Sequence, residues 1–411
     1  MSSRSSESDE SLKRNKKWAV FMGDISMMRD AISRRKMGKR HSIMWKFFGG
    51  IDAGVRGVGQ VVFANNPVSG LLIVITLGLT APNVLLFGSI TGVLGLIISH
   101  IIQDPGSVIE NGLTVYNPLL IGVVTSSLLP EKFSTFDGLT TLMMFTGTIF
   151  SVILTRSFSR GNYPVVTIPF NITETMILII LSVQSMRPEY QDPIEAIDPV
   201  SRFDCQINET SMIGSMMNPD IRSICKTDLL NSTGRIDWGM VFRGVVTSSS
   251  QVFAVDNVIA GSVIYLAIMI YSPTTALFSL IGAIIGSLSA LGLGVPYEGV
   301  YSGLWGYNSL LSTSSLGGIF LVLNPQTALL SFTAGTFTVL LQYTLNFFLS
   351  KMQLSVLTIP FVVTHYLFIT VRDVTDPVYP EPMNITFPEK HRALFQRLRR
   401  SSDQDEIPAN V

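Results

Sequence analysis

The sequence Val-Thr-Ile-Pro-Phe at residues 166–170 recurs as Leu-Thr-Ile-Pro-Phe at residues 357–361. The two copies lie 191 positions apart, and the same offset aligns further residues without a gap. Agreement at so many positions indicates that the chain consists of two homologous halves. The aligned pairs include Gln60 with Gln251, Asn66 with Asn257, Pro82 with Pro273, Gly112 with Gly303, Tyr116 with Tyr307, Asn117 with Asn308, and Leu120 with Leu311.

Charged residues make up only 14% of the 411 residues, whereas hydrophobic residues make up 47%. Soluble domains carry about 25% charged residues. Here the charges crowd into residues 1–46, 187–235 and the tail after Arg372, and long apolar runs such as 84–102 and 276–293 lie between them. Runs of this length can span a bilayer as helices. We therefore predict an all-α, polytopic membrane protein.

The distribution of charge predicts the orientation of the chain. The 29 basic and 29 acidic residues cancel, so the chain lacks the positive field that a nucleic-acid partner requires. Both ends are nevertheless rich in lysine and arginine. Because such basic residues remain in the cytoplasm, we expect both termini of this multi-pass protein to be cytoplasmic.

Each half contains five predicted spanning helices and a short segment rich in Gly, Pro and Asn. An odd number of crossings turns the second half upside down, which gives inverted-topology repeats. Such repeats meet at a solute path near the bilayer midplane, so we expect a pore at the repeat interface. In the first half the helices are expected near 47–64, 67–81, 84–102, 137–156 and 164–184, with a re-entrant half-helix at 110–124.

This interpretation divides the chain into five parts. The polar middle segment contains both cysteines of the chain and two glycosylation sequons, so it suits the extracellular side, where a disulfide can form. Two free thiols are the alternative. The parts are a basic cytoplasmic arm (1–44), a first transmembrane repeat (45–186), the extracellular loop (187–235) with Cys205, Cys225, Asn208 and Asn231, a second repeat (236–373), and a cytoplasmic tail (374–411).

Polar residues that recur at membrane depth are the candidate pore lining. Thr167 and Thr358 precede a proline by two positions, which frees backbone carbonyls in the turn before it. A midplane axis between the repeats would bring their two hydroxyls close together. Bonding of each hydroxyl to its own helix is the alternative. The other recurring pairs are Tyr116 and Tyr307, Asn117 and Asn308, Leu120 and Leu311, for which packing is the alternative, and Gln60 and Gln251, which either contact a neighbouring helix or face a wet vestibule.

These motifs resemble those of urea transporters. The resemblance rests on the paired Thr-Ile-Pro-Phe motifs, on residues 59–70 and on residues 303–311. It implies a plasma-membrane homotrimer in which urea diffuses passively through a channel-like pore in each protomer, with a slot of aromatic rings and a threonine constriction. The implied lining is Gln60, Phe63, Tyr116, Leu120 and Thr167 in the first half and Gln251, Tyr307, Leu311 and Thr358 in the second. Phe253 joins this set because Ala254 stands opposite Phe63.

The alternatives to a urea channel are an enzyme, a proton-coupled carrier and an aquaporin-like pore. The sequence shows no metal-ligand cluster, nucleotide loop or nucleophile–base motif, so no enzyme, metal or cofactor is expected. Glu174 and His365 are also 191 positions apart and suggest a proton-coupled carrier, or a transporter of another small solute such as ammonia, an amide or water. The Asn-Pro pairs at 66–67, 117–118 and 324–325 suggest an aquaporin-like pore, but no two of these share the 191 offset.

Overall fold

A computed structural model describes residues 23–36, 42–132, 137–185, 236–352, 354–372 and 378–405, which are predominantly helical. The cysteines, the loop sequons and most of the N-terminal arm lie outside these residues. A helix at each end of the described chain, α1 (Ser26–Lys36) and α16 (Pro388–Asp405), flanks the two halves.

The described part of the first half contains seven helices, and capping side chains fix the starts of two of them. The Asn66 side chain accepts hydrogen bonds from the backbone of Val68 and Ser69, and Pro67 occupies the first helical position, where a missing N–H costs nothing. The helices are α2 (Ser42–Gln60), α3 (Pro67–Thr80), α4 (Pro82–Ile101), α5 (Gly106–Glu110), α6 (Tyr116–Lys132), α7 (Gly138–Phe158) and α8 (Ile168–Ser185).

The second half repeats the same order of elements. Asn257 caps its second helix as Asn66 caps that of the first half, and five pairs of helices start at positions separated by the 191 offset. A π-helical turn, Ser315–Ile319, interrupts the repeat after the fifth helix. The helices are α9 (Trp238–Gln251), α10 (Val258–Tyr271), α11 (Pro273–Gly292), α12 (Tyr297–Tyr301), α13 (Tyr307–Ser314), α14 (Pro325–Leu349) and α15 (Ile359–Ile369), with a 3₁₀ turn at Ser350–Met352.

The apolar helices support the prediction of a membrane protein. Helices α4, α7, α11 and α14 are long and apolar enough to cross a bilayer, whereas α3, α8, α10 and α15 are shorter. Large apolar side chains cover outer surfaces, such as Leu79 at 81% exposure and Leu329 at 67%. A soluble protein would bury side chains of this size, so these surfaces suit lipid.

One local expectation is wrong. The segment 110–124 does not form a short broken half-helix, because α6 continues for 17 residues to Lys132. Pro118 lies in the first turn of α6, where proline is tolerated, and therefore does not end the helix.

The two halves also share unusual backbone conformations. Val166 and Leu357, just before α8 and α15, have φ angles of 40° and 50°. Phe63 and Ala254 form a second such pair, at 61° and 52°. Positive φ is strained for residues with a β-carbon, and especially for β-branched valine. Strain that recurs at equivalent positions is held in place by the surrounding contacts and often marks a functional region.

Candidate functional site

Two threonines meet where the halves contact each other. Thr167 immediately precedes α8, and Thr358 is the N-cap residue of α15. Their Oγ1 atoms lie 2.8 Å apart, and both side chains are buried. The expected proximity of the hydroxyls is therefore observed.

The prolines of the two motifs lie at helix starts, and the turn before each has a carbonyl without a helical partner. Pro360 lies in the first turn of α15, and Pro169 has the same place in α8, so neither breaks a helix in its middle. The available carbonyls instead belong to Val166 and Leu357, which lie outside the helices and have no helical partner.

Two tyrosines and two asparagines hold these carbonyls. Tyr116 Oη donates to the carbonyl of Val166 at 2.6 Å, and Asn117 Nδ2 donates to the same oxygen at 3.1 Å. In the second half, the carbonyl of Leu357 accepts from Tyr307 Oη and, at 3.1 Å, from Asn308 Nδ2. The four side chains thus stabilise the left-handed residues that position the threonines.

Asn171, which the sequence did not indicate as a pore-lining residue, is part of the site. Its Nδ2 atom lies 2.8 Å from Thr358 Oγ1 and 2.8 Å from the carbonyl of Thr167. Its Oδ1 atom accepts from the backbone N–H of Thr358 at 3.1 Å. The signal in the sequence was an amide one helical turn after Thr167, within an apolar segment.

A cavity of about 420 Å³ reaches Thr358 from one side. Gln251, Tyr307 and Thr358 line it. Leu311 and Phe253 are fully buried and outside its wall, where Ala254 lies instead. The side chains that the sequence did not indicate are Val124, Ser127, Leu128, Phe170, Asp256, Trp305, Gln342, Asn346, Leu354 and Ser355, among others.

The two glutamines contact neighbouring loops. Gln60 Nε2 donates to the carbonyl of Asn111 at 3.0 Å, and Gln251 Nε2 donates to that of Ser302 at 2.9 Å. Of the two alternatives for these residues, the neighbour contact is observed for both, and Gln251 also faces the cavity.

A cluster of aromatic rings packs around Phe63, which does not line the cavity. The Phe63 ring packs edge-on against Phe320 and Phe361, with centroids 6.0 Å apart in both cases. Leu120 is buried in the same apolar core. The first half therefore contributes Phe63 to an aromatic cluster, whereas Ala254 leaves open space in the second half.

Glu174 and His365 are both fully buried. The Glu174 carboxylate oxygens accept from Thr125 Oγ1 at 3.0 Å, and His365 Nδ1 lies 3.1 Å from Ser315 Oγ. Neither residue lines the cavity. They bond to separate hydroxyls, so the structure does not bring them together as a hydrogen-bonded pair.

Charge near the cavity is balanced. Asp256 in the cavity wall forms an ion pair with Arg243 at 2.8 Å. Within the described ranges there is no group of His, Cys, Asp or Glu that could hold a metal ion. The cavity is thus suited to a neutral polar molecule, which needs hydrogen bonds but no compensating charge.

Comparison with known proteins matches this chain to one family. The sequence model described as urea transporter matches residues 51–373. Urea transporter 1 of Ovis aries is 28% identical over 349 residues, which cover 84% of this chain and 83% of that protein. Urea transporter 1 of Rattus norvegicus is also 28% identical, over 83% of this chain and 82% of that protein.

Proposed function

The chain belongs to the urea transporter family, and we propose that the urea it carries across a membrane passes alongside the hydroxyls of Thr167 and Thr358, down its own concentration gradient. The observation that carries this proposal is the pair of buried hydroxyls 2.8 Å apart at the end of a cavity. The family consists of transporters, so the chain is not an enzyme.

The chemistry of urea fits these groups. Urea is planar and neutral, with four N–H donors and one carbonyl acceptor. Its donors can bond to the oxygens of the threonine pair, while its flat faces pack against aromatic rings such as Phe170 and Tyr307, which line the cavity. Each such bond replaces one that urea makes to water, so the solute can lose its hydration shell at small cost.

Ions are excluded by the same features. The wall near Thr358 contains Leu354, Val356 and Leu357, which offer no charge to an ion that has lost its water. The cost of desolvating a small ion greatly exceeds that of a neutral amide. A narrow apolar passage therefore selects against ions without a moving gate.

The proposal extends to orientation and assembly. The repeats have inverted topology with both termini cytoplasmic, and the protein is a plasma-membrane homotrimer surrounded by lipid, with one pore in each protomer. Two features support this: the basic ends of the chain, and a shallow apolar groove between α4 and α7 that suits lipid or a neighbouring protomer. In the same scheme, the boundaries between the arm, the first repeat, the loop, the second repeat and the tail fall at residues 44, 186, 235 and 373.

The loop 187–235 is extracellular in this scheme. It carries glycans on Asn208 and Asn231 and a disulfide between Cys205 and Cys225. Glycosidase treatment followed by peptide mapping should find sugar on Asn208 or Asn231. Sugar on Asn384, in the tail, would contradict the orientation.

A thiol-blocking experiment tests the pathway. Ser355→Cys places a thiol in the cavity wall, and Ser350→Cys places one on an exposed surface outside it. Both variants are made after Cys205 and Cys225 have been replaced by serine, and urea flux into proteoliposomes is measured by light scattering. A bulky hydrophilic thiol reagent should block flux at position 355 and not at position 350. Labelled Ser355→Cys protein with unchanged flux would refute this pathway.

A further inference from the structure

We infer that Asn171 is a positioning residue that fixes the direction of the hydroxyl protons at the threonine constriction. This inference rests on the proposed path of urea alongside Thr167 and Thr358. It assigns a donor to the carbonyl oxygen of the solute at the point where the path is driest.

The orientation of the Asn171 amide is set by two backbone groups. The N–H of Thr358 can only donate, so the atom that it meets at 3.1 Å is Asn171 Oδ1. The carbonyl of Thr167 can only accept, so the atom 2.8 Å from it is Nδ2. The remaining hydrogen of Nδ2 then points to Thr358 Oγ1, also at 2.8 Å.

The directions of the two hydroxyls follow from this amide. Thr358 Oγ1 accepts from Asn171, and its single proton is available to Thr167 Oγ1 at 2.8 Å. Asn171 Oδ1 is a poorer acceptor for that proton, because it lies 3.1 Å away and already accepts from the backbone of Thr358. Thr167 Oγ1 therefore accepts from Thr358, and its own proton is left for the carbonyl oxygen of the solute.

The arrangement breaks the internal repeat. The residue at the offset of 191 from Asn171 is Val362, which has no hydrogen-bonding side chain. One amide directs both hydroxyls the same way, whereas two amides would each donate to one threonine and leave the direction between them undefined. The asymmetry thus makes Thr358 the donor to Thr167 and leaves the proton of Thr167 for the solute.

Comparing urea with thiourea tests this inference, because thiourea offers sulfur, a weaker acceptor, in place of the carbonyl oxygen. In Asn171→Val the urea permeability should fall about fivefold or more, and the ratio of urea to thiourea permeability should fall toward one. The double variant Asn171→Val/Val362→Asn, which moves the amide to the equivalent position, should restore the ratio to within about twofold of the wild type. A residue that only supported the fold would lower both permeabilities together.

The variant Thr358→Val distinguishes failure of the proposed urea path from failure of the role given to Asn171. If Thr358→Val carries urea at the wild-type rate, the proposed path itself is wrong. If Thr358→Val slows urea but Asn171→Val leaves the ratio unchanged, the role of Asn171 is wrong. Should Asn171→Val fail to fold, Val362→Asn alone provides the test: the added amide should lower the ratio, and an unchanged ratio would overturn the inference.

Discussion

Replacing Thr358 by valine should slow urea flux without unfolding the protein. Valine keeps the shape of the side chain and exchanges only the hydroxyl for a methyl group. The exchange removes the 2.8 Å contacts to Thr167 Oγ1 and Asn171 Nδ2 at once. A solute at this point then meets one hydroxyl instead of two.

The contacts set the size of the effect. An unmade hydrogen bond to a desolvated polar group costs about 1–3 kcal/mol. As an addition to the barrier for passage, this slows flux roughly five- to more than a hundredfold. Thr167→Val should slow flux less, because Thr358 keeps its bond from Asn171 and its proton, no longer bonded to Thr167, becomes available to the solute. The repeat alone predicts equal effects, so a difference between the two variants reports the asymmetry caused by Asn171.

Stopped-flow light scattering of proteoliposomes measures these rates, normalised to the amount of folded protein. Thr364→Val is a matched control, since Thr364 lies on the same helix, is fully buried, and has a hydroxyl without a partner among the described residues. It should leave flux unchanged. Thr358→Val protein that is folded and carries urea at the wild-type rate would show that the threonines only pack the helices.

Three further predictions concern groups other than the two threonines. Glu174→Gln should leave urea flux and its pH dependence unchanged, because Glu174 bonds to Thr125 outside the cavity; a pH dependence that disappears in this variant would favour a proton-coupled carrier. Burial lowers the pKa of His391, whose Nε2 accepts from the backbone of Thr386 at 2.7 Å. The docking of α16 is therefore fully stable above the ordinary histidine pKa of about 6.5 and weakens as the pH falls below that value. Proteolysis of the tail should accelerate between pH 7 and 5. An unchanged rate of proteolysis would contradict this prediction. Tyr116→Phe should lower the melting temperature because it removes a hydrogen bond to the carbonyl of Val166, and an unchanged melting temperature would show that this bond does not stabilise the fold.

The sequence predicts the helices better than the contacts between them. Asn66, Pro67 and Pro82 mark helix starts, and the structure has helices beginning after or at them. Pro118 was misleading, because a proline in a broken apolar segment resembles a helix breaker unless the start of the helix is known. The first turn of α6 contains it without disruption.

The site is only partly predictable for a related reason. The internal repeat aligns Thr167 with Thr358, which identifies both as candidates. It does not identify Asn171, because the residue aligned with Asn171 is Val362. Glu174 bonds to Thr125, whereas its counterpart His365 bonds to Ser315. The residue aligned with Thr125 is Leu316, so alignment of the two halves could not identify Ser315 as the partner of His365. The π-helical turn Ser315–Ile319 departs from the repeat at this point.

The distribution of labelled urea across proteoliposomes, with and without an imposed proton gradient, tests passive urea transport most directly. Protein-free vesicles and vesicles containing Thr358→Val protein serve as controls. The wild-type protein should speed the approach to equal concentrations inside and outside, and the final ratio should remain one under either condition. Accumulation of urea above that ratio in the presence of a proton gradient, or no acceleration over protein-free vesicles, would contradict the account.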